Sequence, residues 1–206
     1  MKVGRVVIAG IHINRNPIEV GKSWHTLYVC ARFEKVRSND LYGGVMQSSE
    51  IPVAHTPPGG YGATFPPLIL GDCTEPLVAG APDLRGIWKT VSATRGGVQV
   101  PPDDRLMSYT ERIEQCGNRI VDCGGGTIAD CRADGTEEHG VHDVSVFDYT
   151  TPIHVVASYE DLVFVLRPVG IPGIEVTRCL DEHGNMIWQR PDMGGVRVVL
   201  QRVPNS

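Results

Sequence analysis

The chain has 206 residues, a formal net charge of −5 and 41% hydrophobic residues, enough for a core that needs no disulfide or metal. Its 24 glycines and 15 prolines argue against a helical bundle, because both residues break long helices. The acidic balance gives no electrostatic basis for binding nucleic acid or an anionic membrane, and no stretch approaches the roughly 20 apolar residues of a spanning helix. We therefore expect neither nucleic acid nor a membrane as a partner.

The N-terminal extension, residues 1–82, is predicted to contain two strands and an irregular connector. The strands fall at about 3–13 and 26–36, where β-branched and aromatic residues are frequent. Residues 51–82, the connector, are rich in Pro and Gly, which block both helices and central strands. The apolar residues of the connector predict packing on the main body. The apolar strands also need burial, either beside that body or at a homodimer contact.

From residue 83 onward the pattern changes to short strand-like runs, separated by turn signals every eight to twelve residues or so. Ten runs follow between residues 84 and 203, one of them at 144–148. Connections this short join antiparallel neighbours, and a meander of ten strands tends to close because closure removes exposed edges. The predicted fold is all-β: an antiparallel up-and-down β-barrel of eight to ten strands over 83–203, with an N-terminal β/coil extension.

The opening run, Asp-Leu-Arg-Gly-Ile-Trp-Lys at 83–89, resembles the Gly-x-Trp first strand of lipocalin and fatty-acid-binding (calycin) barrels. In that superfamily the Trp plugs the closed end of the barrel, and an Arg near the end of the last strand packs across it. The resemblance assigns these positions to Trp88 and Arg202, and Arg202 shares strand parity with Val198 and Leu200. It covers 83–203 and leaves the extension outside the pattern.

Six cysteines occur without a Cys-x-x-Cys pair, and no export signal precedes them, so we expect reduced thiols in a cytoplasmic protein. The spacing of Cys116, Cys123 and Cys131 matches no zinc-ligand template, so no metal site is predicted. Nucleotide-binding glycine motifs and hydrolase elbows are also missing from the sequence, and we therefore expect no cofactor.

A barrel of this size holds one small ligand, so function depends on which polar side chains point inward. Adjacent strands could bring Asp122, Asp130 and Arg132 onto one face. If that face is interior, it supplies a base and an anion-stabilising group; if it is exterior, it is a solvated cross-strand pair. Asp130 and His154 are the candidate proton-transfer groups. The candidate ligand-binding residues are Arg132, Tyr109, Tyr159, Asp122, His142 and Tyr149.

Two functions from different classes fit this pattern. The abundance of Asp, His, Tyr and Arg favours a cofactor-independent enzyme of isomerase, lyase or cyclase type. Such an enzyme would act by acid/base chemistry on a hydrophobic small molecule in the barrel. The alternative is a non-catalytic binding or carrier protein of lipocalin type for the same kind of ligand. A Pro/Gly loop at 55–61 could cover the barrel mouth or lie on the outer wall.

Overall fold

The computed structural model describes residues 46–204, so the two strands predicted before residue 45 lie outside the described residues, as does most of the predicted dimer surface. Eleven strands and two short 3-10 helices, Arg105–Ser108 and Pro191–Met193, make up the regular structure of this part. The strands are β1 Gly86–Arg95, β2 Val98–Gln99, β3 Thr110–Cys116, β4 Arg119–Gly124, β5 Thr127–Arg132, β6 Val141–Val144, β7 Pro152–Glu160, β8 Val163–Pro168, β9 Val176–Leu180, β10 Met186–Arg190 and β11 Val196–Arg202. No helix among the described residues is long and apolar enough to cross a membrane.

Ten of these strands form one antiparallel sheet in the order β5-β4-β3-β1-β11-β10-β9-β8-β7-β6. The first and last strands of that order lie beside each other, which curls the sheet into a nearly closed barrel. At this seam, the backbone N–H of Arg132 donates to the carbonyl of His139 at 2.8 Å and that of Gly135 donates to Ala157 at 2.9 Å. The predicted up-and-down antiparallel barrel is confirmed.

Trp88 plugs one end of the barrel. Its side chain is fully buried, and its indole N–H donates to the carbonyl of Leu84 at 2.7 Å. The guanidinium carbon of Arg202 lies 4.7 Å from the centre of the indole ring, as a cation–π contact requires. Gly86 has φ of +130°, a conformation that side chains disfavour, and a Cβ atom there would press on the Arg202 stem at 3.3 Å. The predicted Trp–Arg contact is therefore present, and the opposite end is here called the mouth.

The connector runs without strands or helices along the outer face of β3, β4 and β5 and belongs to the same compact unit as the barrel. A second apolar cluster lies beneath it, built from Val121, Cys123 and Ile128 of the barrel and residues such as Leu70 of the connector. The connector is also tied to the end of β3 by a disulfide between Cys73 and Cys116. The prediction of reduced thiols is wrong for this pair, because folding brings two residues 43 positions apart into contact.

The strand predicted at 144–148 is also displaced. The observed strand β6 is Val141–Val144, and the chain turns immediately after it. Asp148 builds this turn, because its carboxylate accepts the backbone N–H groups of Thr150 and Thr151, each at 2.8 Å. Tyr149 adopts a positive φ of 55° in the same turn. An aspartate that bonds its own following backbone favours a turn over a strand.

Candidate functional site

Four polar side chains meet inside the barrel and form the interior polar cluster: Tyr109, Glu111, Asp122 and Arg178. The Nη2 atom of Arg178 donates to Glu111 Oε2 at 2.9 Å and to Asp122 Oδ2 at 2.5 Å. The Tyr109 hydroxyl donates to the same Glu111 oxygen at 2.9 Å. The Arg178 and Glu111 side chains are at most 4% exposed. Buried charges of this kind persist only when they are paired and hydrogen-bonded.

The cluster contains two carboxyl groups and one guanidinium, which leaves the charges unbalanced if both acids ionise. Burial raises the pKa of Asp122 to about 8; the Arg178 charge opposes this shift and the Glu111 carboxylate adds to it. Burial, reinforced by the neighbouring carboxyl groups, also holds the pKa of the Tyr109 hydroxyl well above its ordinary value. A protonated Asp122 gives the cluster a neutral charge balance near neutral pH.

The cluster lies beside the Trp88 plug. Glu111 is the cross-strand partner of Trp88, and Asp122 lies opposite Ile113, whose partner on β1 is Gly86. Tyr109 and Trp188, whose ring centres are 6.3 Å apart, are half-buried beside it. Half-buried apolar side chains, those of Leu106, Met107, Ile153 and Val176, pack against the same core. The polar atoms of the cluster thus lie among apolar and aromatic side chains.

Two atoms of the cluster remain without a hydrogen-bond partner among the described residues. They are Nη1 of Arg178, a donor, and Oδ1 of Asp122, and both are fully buried. Buried polar atoms in native proteins nearly always have a partner, which is supplied by protein, water or a bound molecule. A water molecule or a polar atom of a bound molecule would satisfy these two atoms.

Three of the predicted ligand-binding residues do face the barrel interior. Asp122 and Tyr109 belong to the interior polar cluster. Tyr159 packs against Phe164 and its hydroxyl accepts a hydrogen bond from Gln115 Nε2 at 2.9 Å. Tyr159 lies two strands from Arg178, with Phe164 between them, and among the described residues it makes no hydrogen bond to the cluster.

The interior position predicted for Asp130 and Arg132 is wrong. In the observed register Asp122 lies opposite Ala129 while Asp130 lies opposite Val121, which places Asp122 and Asp130 on opposite faces of the sheet. Asp130 is buried under the connector, where its carboxylate pairs with Arg119 at 2.7 Å and accepts the Ala54 N–H at 2.8 Å. The proton-transfer role proposed for Asp130 thereby loses its geometric basis.

His154 and His142 also lie outside the barrel. They are cross-strand neighbours on the exposed face of β6 and β7, with ring centres 4.7 Å apart. The inward positions on β7 belong to Ile153, Val155 and Ala157 instead. Tyr149 lies in the turn after β6, where its hydroxyl donates to the carbonyl of Gly125 at 2.9 Å. None of these three side chains contacts the interior polar cluster.

Glu111 and Arg178 are the functional candidates that the sequence analysis missed. Glu111 alternates with Ile113 and Gln115 along β3, and Ile113 is the aliphatic residue that identifies this face as the inner one. Arg178 lies opposite Phe164 on one side and Trp188 on the other. Because Glu111 lies two residues before Ile113 and so on the same face of the strand, the sequence pattern could have identified Glu111. No residue near Arg178 in the sequence indicates which residue Arg178 pairs with.

The outer wall carries a groove of about 330 Å³ between the connector and β1 and β3. Its lining includes Leu68, Ile87, Arg112 and Glu114. The charged groups there already serve the connector, because Glu114 accepts the N–H groups of Ile69 and Leu70 and Arg112 donates to the carbonyls of Pro66 and Pro67. The groove is separated from the interior polar cluster by the barrel wall.

The described part of the chain is thus an up-and-down β-barrel with one plugged end and a buried ion-pair cluster beside the Trp88 plug. This topology and the Trp88–Arg202 contact agree with the resemblance to calycin barrels. A search of solved structures finds human cRBP IV, with a TM-score of 0.40 and 10% sequence identity over 59% of this chain and 98% of that protein. No protein-family model matches the sequence, and no curated protein matches it either.

Proposed function

We propose that the barrel binds one small, largely apolar molecule that carries an oxygen-containing polar group. The observation that supports this most directly is the pair of unpartnered buried atoms, Arg178 Nη1 and Asp122 Oδ1, inside the barrel. The free N–H of Arg178 donates to a ligand oxygen. A hydrogen bond to a charged group contributes about 1.5–3 kcal/mol, which makes Arg178 the main anchor.

The remainder of the ligand lies toward the mouth in this proposal. Tyr109 and Trp188 offer aromatic faces, and Leu106 and Met107 offer apolar contact from the segment that precedes β3. Sites of this composition, mostly apolar with a few convergent polar atoms, are typical of small-molecule binding. Binding without chemistry is the function that this geometry supports best.

The test compares two ten-carbon probes, decanoate and decanol, by isothermal titration calorimetry. Arg178 and Glu111 are replaced together, Arg178→Met with Glu111→Gln, so that Glu111 is not left as a buried carboxylate without its guanidinium; the remaining carboxyl group, that of Asp122, is protonated near neutral pH because burial raises its pKa to about 8. We expect one-to-one binding to the native protein and at least about a tenfold loss, or 1.4 kcal/mol, in the double variant. Native near-ultraviolet circular dichroism confirms that the variant is folded.

Two control variants separate this site from the alternatives. Leu68→Asp changes the outer groove, where Leu68 is 64% exposed, and Arg167→Met removes an exposed arginine from an ion pair. Both should bind the probes as the native protein does. Binding that is lost in Leu68→Asp and kept in the double variant would place the ligand in the groove and refute the proposal.

A second function, acid/base catalysis on the bound molecule, is favoured by one specific observation. Asp122 has a pKa raised into the neutral range and lies next to the expected ligand position, which suits a group that transfers protons. The Asp122→Asn variant distinguishes the two functions once a ligand is known. Loss of turnover with retained affinity indicates an isomerase, lyase or cyclase, whereas an absence of turnover in the native protein indicates a carrier.

A further inference from the structure

We infer that Cys73, Glu75 and Cys116 bind one zinc-like divalent ion when the disulfide between the two cysteines is reduced. The two sulfur atoms and a carboxylate oxygen of Glu75 all lie within 4.8 Å of one another. Tetrahedral zinc ligands lie about 3.3–3.8 Å apart, given metal–ligand distances of about 2.0–2.3 Å. Side-chain rotations alone can therefore bring the three donors to coordination distance.

The surroundings already hold two of the donors in place. The backbone N–H of Glu75 donates to the sulfur of Cys116 at 3.2 Å, a contact that also stabilises a thiolate. Ser48 donates to the Glu75 carboxylate twice, from its hydroxyl at 2.7 Å and from its backbone N–H at 3.3 Å. Outer hydrogen bonds of this kind orient metal ligands.

Gly117 leaves the space that the carboxylate occupies. A Cβ atom at this position would lie 2.6 Å from Glu75 Oε2, closer than real contacts allow, and Gly117 also has φ of +60°. With any other residue at this position the Glu75 carboxylate would have to move away from its observed place, and the positive φ also favours glycine. The three donor residues therefore lie together at the end of β3, with the Glu75 carboxylate close to Cys116.

The chemistry of the donors selects the ion. Two thiolates and one carboxylate carry three negative charges and combine soft sulfur ligands with a hard oxygen ligand, which suits the borderline ion Zn²⁺ better than the oxygen-preferring Mg²⁺ and Ca²⁺. A water molecule can take the fourth position, because Cys73 and Glu75 are only half-buried. Cys116, at 1% exposure, forms the inner wall.

The reaction sequence balances with a phosphine reductant. The phosphine and one water molecule convert the disulfide to two thiols, and the phosphine becomes its oxide. Zinc then replaces the two thiol protons, which are released to solvent, so affinity rises with pH. In reducing conditions the ion takes over the attachment of the connector to β3 that the disulfide provides in oxidising conditions.

The test uses the full chain reduced with tris(carboxyethyl)phosphine and titrated with Co²⁺, whose bond to thiolate gives a near-ultraviolet charge-transfer band. We expect one Co²⁺ per reduced chain, displacement by Zn²⁺, and no band in the oxidised protein. The paired variant Cys73→Ser with Cys116→Ser should lose the band, and Glu75→Gln should weaken binding about tenfold or more. Cys179→Ser is the matched control and should bind as the native chain does, because Cys179 is a free, half-buried cysteine on β9.

Two results would overturn the inference. One is a band that persists in the paired serine variant, since it would place the metal on other cysteines. The other is an absence of stoichiometric binding by reduced native protein, with the fold monitored by circular dichroism. If reduction unfolds the chain, one equivalent of Zn²⁺ must restore the native spectrum; failure to do so also contradicts the inference.

Discussion

Replacing Asp130 by Ala tests whether this residue stabilises the connector instead of serving a ligand. Its carboxylate accepts hydrogen bonds from Arg119 at 2.8 and 2.7 Å, and both side chains are at most 3% exposed. Arg119 also donates to the carbonyls of Ser48 and Ile51, at 2.6 Å each, and to Pro52 at 2.9 Å. Removal of the carboxylate leaves a buried guanidinium without its counter-ion, so the free energy of unfolding should fall by about 3–5 kcal/mol.

Urea unfolding followed by circular dichroism measures this loss. The double variant Arg119→Met with Asp130→Ala should be less destabilised than Asp130→Ala alone, because it no longer buries an unpaired charge. Glu160→Ala is the control, since the Arg167–Glu160 pair is nearly half exposed and should contribute at most about 1 kcal/mol. An Asp130→Ala loss no larger than this control, together with impaired probe binding, would refute the structural role.

Three further predictions concern stability. Trp88→Ala should lower the free energy of unfolding by about 3–5 kcal/mol in urea, because it empties the plug of the barrel; a loss below about 1 kcal/mol would contradict that position. Burial raises the pKa of Asp122 to about 8, so the native state binds more protons than the unfolded state between about pH 4 and pH 8. Stability should therefore fall as pH rises through this window, and Asp122→Asn should flatten the profile; parallel profiles would be inconsistent with the shift. Replacing Cys73 and Cys116 by Ser in metal-free buffer should cost about 4 kcal/mol, from the entropy of a 43-residue loop, and an unchanged urea midpoint would argue against that contribution.

The order of strands was predictable because its signals are local. Turn residues separate the strands at short intervals. The Gly86-Ile87-Trp88 motif identifies the first strand, and its glycine leaves room for the Arg202 side chain. The faces of β4 and β5 were not predictable. Ile120 and Ala129 point inward while Val121 and Ile128 pack under the connector, so apolar residues lie on both faces. A strand buried on both sides loses the alternation that identifies its inner face.

The candidate site was predictable only in part for a different reason. Asp122 was identified as a polar residue that could share one face with residues of the adjacent strand. The partner of its ion pair, Arg178, lies on β9, a strand that is not adjacent to β4 in the sheet, so the contact crosses the barrel interior. The rules for cross-strand side-chain pairs apply to strands that are adjacent in a sheet, so they could not predict the contact between Asp122 and Arg178.

The ladder between β1 and β11 determines when the barrel can close during folding. Most neighbouring strands in the sheet follow one another along the chain and can pair as local hairpins. The pairing of Trp88 with Arg202 instead joins the first and last strands of the barrel. Contacts this distant in sequence carry the largest loop-closure entropy, and folding rates decrease as such contacts become more frequent. Hairpins should therefore form first, and the docking of β1 onto β11 should be the slow step that completes both the barrel and its plug.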